Sequence, residues 1–162
     1  MTALLDLITV GRSSVDLYGE QIGSRLEDIG TFTKAVGGCP TNIAIGTARL
    51  GLRSGLITRV GDEAMGRFVR EQLEREGVAL DGVRTDPERL TFLVLLSVRV
   101  EHSFPLIFHR DNCADGALDE GDVDEAFVAS AGAVLVTGTH LSQDNAAAQR
   151  KATGSPGSTA AA

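Results

Sequence analysis

Two adjacent glycines, Gly37 and Gly38, stand directly before CPTNIAIGTARLG, and an amide, Asn42, follows within the first turn of what reads as a helix. Bare backbone there has two physical readings. Either the chain turns tightly, or something approaches the backbone so closely that no side chain is allowed. A helix start with an amide beside it suits a polar, hydroxyl-rich ligand, although Asn42 could equally act as a cap. Asp16 follows the apolar run LDLITVG by a few residues, near the carboxyl end of a presumptive core strand, where open α/β sheets place their ligands. A carboxylate at that point can accept hydrogen bonds from two neighbouring hydroxyls; the alternative is a solvated strand-end residue. Other chemistries lack their motifs. The chain has no GxxxxGK[ST], no GxGxxG after a strand and no HExxH, and His102, His109 and His140 do not fall at metal-ligand spacing.

The elements that must position these residues follow from periodicity. LDLITVG (5–11) reads as a buried parallel strand. SVDLYGEQ and GTFTKAVGG read as two short strands around a loop. The spacing predicts a helix from Pro40, at the favoured first position, to Leu50, with Gly51 past its end. RSGLITRVG (53–61) is a strand. DEAMGRFVREQLEREG is the clearest helix: Met65, Phe68, Val69, Gln72 and Leu73 share one face, Glu71 and Arg75 pair outside, Asp62 caps the start and Gly77 the end. After a polar loop, LTFLVLLSVRV and SFPLIFHR are strands joined near EHS, DVDEAFVASA is a helix, AVLVTG is a buried strand, and a further helix begins near Ser142. The β-α-β-α order implies a layered α/β fold, while the strands at about 15–36 and 90–110 break the alternation and form a separate small sheet able to cover a site.

Composition narrows the setting. The 162 residues carry a net charge of −7, which argues against a nucleic-acid surface. No run approaches the length of a membrane span. Two distant cysteines, Cys39 and Cys113, fit neither a disulfide framework nor a metal site, and a reducing cytoplasm is expected.

GGCPTNIAIGTARLG followed by TRVGDEAMG resembles the N-terminal signature of the ribokinase-like, or phosphofructokinase-B type, carbohydrate kinases. VGRSSVDLYGEQIG, FPLIFHRDNCAD and LVTGTHLS extend the likeness toward the sugar-acid kinases of bacterial myo-inositol catabolism, with 2-keto-3-deoxygluconate-type kinases as the nearest alternative. The resemblance runs from about Leu5 to about Ala152. It implies a three-layer α/β/α sandwich, incomplete here, with a small β-sheet lid that often forms a dimer contact. It also implies ATP and Mg²⁺ as cofactors and a small sugar acid as substrate. By the same resemblance Asp16 matches the aspartate that binds substrate hydroxyls, and Gly37, Gly38 and Asn42 match the substrate-contacting turn and amide. Arg110 matches an arginine that follows aromatic residues in related sugar-acid kinases; a planar, permanently charged fork suits a carboxylate. The usual aromatic before it is His109 here. Arg12 is a candidate second cation beside the acid.

The family transfers the phosphoryl group with a C-terminal GAGD-like motif, whose aspartate takes the hydroxyl proton and whose backbone N–H groups stabilise the transferred charge. CADGAL and DEGDVD have neither its order nor its position. The 162-residue chain is therefore expected to be inactive alone, with a non-catalytic sugar-acid-binding or lid-mediated interaction fragment as the alternative. Residues 153–162, TGSPGSTAAA, match nothing in the family and read as a disordered tail or an interrupted natural sequence, the second being favoured.

Overall fold

The computed structural model describes residues 4–98 and 105–137. The helix expected from Ser142 and the 153–162 segment lie outside those residues, as do His102 and His140. The first sheet is wholly parallel, with strand order β5-β4-β1-β8. It is built from β1 (Leu5–Val10), β4 (Ser54–Gly61), β5 (Val83–Asp86) and β8 (Ala131–Val136). Helices α1 (Cys39–Arg49), α2 (Ala64–Arg75) and α3 (Glu125–Ala129) accompany it. The β1 and β4 runs are apolar on both sides because both faces are covered. Val60, Val69 and Leu73 pack in one core cluster, and Ile8, Val10 and Ile57 in another with Leu118 and Val123.

The second sheet has the order β3-β2-β6-β7. Its strands are β2 (Ser14–Gly19), β3 (Phe32–Gly37), β6 (Phe92–Leu96) and β7 (Leu106–His109). These are the segments that broke the alternation in the sequence. β2 runs antiparallel to β3 and parallel to β6, and β7 closes the sheet antiparallel to β6. Strand alternation divides its side chains between two faces. Val15, Leu17, Val36 and Leu93 pack into the core shared with α2 and β4, so this sheet is anchored rather than free-standing. Ser14, Asp16, Phe92 and Val94 share the opposite face by register.

Three local expectations are corrected. The stretch taken as one polar loop contains β5, VRTD, which pairs with β4 as an edge strand. Its Asp86 is buried and bonds the backbone N–H groups of Glu88 and Arg89, each at 2.9 Å, while Arg59 reaches both Asp86 and Asp122. A strand this short and charged carries no apolar periodicity to announce it. Helix α1 begins at Cys39, so Pro40 is its second residue. Finally, Glu63 and not Asp62 caps α2, accepting from the N–H groups of Met65 at 2.5 Å and Gly66 at 3.0 Å. The Asp62 backbone N–H is tied to the Asp86 carbonyl, which leaves its side chain exposed, whereas the longer Glu63 reaches the helix and also the Thr91 N–H at 3.1 Å.

Candidate functional site

The site grows from the junction of β1 and α1. Thr9, buried on β1, donates to the Pro40 carbonyl at 2.9 Å. Ser13 and Thr41 share a hydrogen bond of 2.6 Å, and the Thr41 hydroxyl also donates to the Arg12 carbonyl at 3.2 Å. These bonds fasten the 11–13 turn to the start of α1. Gly38, the N-cap of α1, has φ +98°, a conformation that side-chain-bearing residues avoid. A Cβ there would collide with the Arg12 carbonyl oxygen. Gly37 answers to a different constraint. A Cβ on it would collide with both carboxylate oxygens of Asp16, which leans across the β2–β3 ladder. Each glycine thus serves one of the two purposes that sequence alone left open: Gly38 for the turn, Gly37 for a close approach, and the approaching group is Asp16.

Asp16 sits on β2, the strand expected from SVDLYGEQ, and is half-buried. Ser14 donates to its Oδ1 at 2.8 Å. Burial pushes its carboxyl above the usual range, and the Ser14 bond and the Arg12 charge offset that only in part. A carboxylate held short of hydrogen-bond donors is one that a polyol can satisfy. Tyr18, further along the same face, is raised by burial and by the Asp16 charge.

Both candidate cations converge on a residue that sequence reasoning passed over. The Arg12 guanidinium lies 5.4 Å from the Phe92 ring centroid and the Arg110 guanidinium 5.3 Å from it. Phe92 is 1% exposed and packs with Val94, Leu96 and Cys113. It therefore supplies the ring that His109 could not. The available signal was its place at the head of an apolar strand in a chain with few aromatics. Arg110 is fixed further: its Nε and Nη2 donate to Asp115 Oδ2 at 3.0 and 2.7 Å.

Asn42 is less integrated. It lies one turn into α1, its backbone N–H donates to the Gly38 carbonyl at 2.9 Å, and its side chain is exposed. It lines a cavity of about 510 Å³ with Lys34, Phe68 and Arg49, in which Asp16 takes no part. Asp16, Gly37, Gly38, Arg12 and Arg110 are thus brought together, and Asn42 flanks them. Among the described residues no group of three or more His, Cys, Asp or Glu is placed to hold a metal ion, and no helix is long and apolar enough to cross a membrane. Cys39 is exposed, Cys113 buried, and both are free.

Residues 5–154 match the pfkB family carbohydrate kinase pattern. The chain belongs to that family. A curated relative, the 5-dehydro-2-deoxygluconokinase of Geobacillus kaustophilus, is 41% identical over 140 residues, which is 86% of this chain and 42% of the relative. The chain thus spans under half the length of the curated relatives it matches. Among solved structures, a PfkB protein from a Polaromonas species has TM-score 0.75 and 33% identity, covering 80% of this chain and 44% of the other. A putative ribokinase II from E. coli in complex with ATP and Mg²⁺ has TM-score 0.86 at 24% identity, covering 93% and 49%, and shows the shared ribokinase-like fold.

Proposed function

We propose that this pfkB-family chain carries the sugar-binding portion of a sugar-acid kinase that transfers the γ-phosphoryl group of ATP, with Mg²⁺, to 5-dehydro-2-deoxy-D-gluconate, giving the 6-phosphate in the cytoplasm. The observation that carries this reading is the pairing of an under-satisfied carboxylate, Asp16, with two guanidiniums, Arg12 and Arg110, beside one buried ring. Asp16 accepts from the substrate hydroxyls. Gly37 leaves room for the Asp16 carboxylate, Gly38 holds the turn beside it, Asn42 flanks the site, and Arg12, on the same ring as the Asp115-anchored Arg110, supplies the cation for the substrate's carboxylate. The relatives named 5-dehydro-2-deoxygluconokinase support this choice of acid. The second sheet acts as a lid that excludes water.

The 162-residue chain contains no GAGD-like sequence to provide a base and an anion hole, and on this reading it binds the sugar acid without turning it over. The test is paired. Calorimetric titration with 5-dehydro-2-deoxy-D-gluconate should show saturable binding, competed more weakly by 2-keto-3-deoxygluconate. A coupled ADP-release assay on the same sample should show no sugar-dependent rate. Turnover at a normal kinase rate would overturn the inactivity, and absence of binding would overturn the substrate assignment.

A further inference from the structure

The two arginines on Phe92 are not equivalent, and we infer that Arg12 is the residue that sets selectivity for an acid over a neutral sugar, while Arg110 is a positioning residue. This rests on the sugar-acid reading above and divides the labour within it. Arg110 presents the Nε–Nη2 edge of its fork to Asp115, in a contact where Arg110 is 18% and Asp115 1% exposed. Its charge is already matched inside the protein, and its place on the ring is fixed by that bond. Arg12 stacks on the same ring, yet among the described residues no ion pair holds it, and its Nε is buried without a hydrogen-bond partner.

A buried guanidinium N–H left unpaired is costly, because its desolvation is not compensated. The Nε–Nη edge of a fork is the edge that binds a carboxylate in bidentate fashion. The Asp16 carboxylate feels the Arg12 charge, but it accepts its hydrogen bond from Ser14 and forms no ion pair with Arg12. The arrangement fits an acceptor for hydroxyls beside an unpaired guanidinium N–H for a carboxylate, on adjacent parts of one ligand.

The test uses the full chain and two probes, 5-dehydro-2-deoxy-D-gluconate and its uncharged methyl ester, each titrated calorimetrically. The wild type should prefer the acid by at least about 100-fold. Arg12→Gln should reduce that preference to within about threefold by weakening the acid while leaving the ester nearly unchanged. Arg110→Lys should weaken both probes in parallel and keep the preference. Circular dichroism reports whether each variant is folded, and the wild-type ratio needs no variant at all. A wild type that binds both probes equally overturns the inference while leaving a sugar site standing. So does an Arg12→Gln protein with the preference intact, or an Arg110→Lys protein that alone loses it. A wild type that binds neither probe overturns the sugar-acid reading as well.

Discussion

Gly37→Ala should destabilise the protein, and the cause should be removable. The added methyl falls well inside contact distance of both Asp16 oxygens, and no other group is as near. Gly37 lies in a strand without a positive φ, so the backbone itself tolerates alanine and should gain about 0.5–1 kcal/mol from it. The carboxylate must therefore retreat. A side chain forced about 30° off its rotamer costs about 1 kcal/mol. Loss of the Ser14 hydrogen bond to a charged but half-exposed acceptor adds about 1–2 kcal/mol. The net loss should be about 1–2 kcal/mol, read as a lower urea midpoint at unchanged slope. In an Asp16→Ala background the same substitution should be neutral or stabilising, giving a coupling of about 2 kcal/mol in the double-mutant cycle. Gly38→Ala provides the contrast: its obstacle is the Arg12 backbone carbonyl together with the +98° φ, which Asp16→Ala cannot relieve. Equal losses for Gly37→Ala in both backgrounds would refute the close-approach argument.

Three further outcomes follow from the same geometry. The folded-state pKa of Asp16 is raised, so stability should fall as pH rises from its ordinary value of about 3.9 through the raised value, and should stay lower above it. Asp16→Asn should then raise the melting temperature at pH 7 by up to about 2 °C and flatten that slope; a fall in melting temperature would contradict this. Glu63→Ala should cost about 1–2 kcal/mol in urea unfolding, because it uncaps α2 and strands the Thr91 N–H, whereas Asp62→Ala should stay within about 0.5 kcal/mol. If copies pair through the edge of the second sheet, where Leu106, Ile107 and Phe108 are about half exposed, Phe108→Glu should convert a dimer to a monomer by light scattering; a monomeric wild type would remove that contact from the account.

Much of this arrangement is legible in the sequence. β1 and β4 announced themselves as Val, Ile and Leu runs because they are covered on both faces, and α2 did so through Val69 and Leu73 at helical spacing. β8 is a strand as expected but not a buried one, since among the described residues it forms the sheet edge, with Gly132 and Ala133 exposed. What escaped was set by tertiary contact. VRTD becomes a strand only because β4 offers it a parallel edge. Glu63 displaces Asp62 as the cap because the Asp62 backbone is committed to Asp86. At the site, the residue types at Asp16, Gly37 and Gly38 pointed to a polar ligand, yet which glycine served the turn and which the approach depended on a side chain reaching across a strand pair. Phe92 was invisible as a site residue because a phenylalanine heading an apolar strand reads as core. It is core, and it is also the surface on which two guanidiniums rest.

The central claim is that one end of β1, the start of α1 and the face of β2 and β6 together form a sugar-acid site. The most direct measurement is a ¹⁵N-resolved NMR titration of the 162-residue chain with 5-dehydro-2-deoxy-D-gluconate. The account predicts saturating shifts concentrated at Arg12, Asp16, Gly37, Gly38 and the Arg12 side-chain Nε–H, with a smaller response at Asn42. Shifts confined to another part of the chain, or none at millimolar ligand in a folded protein, would contradict it.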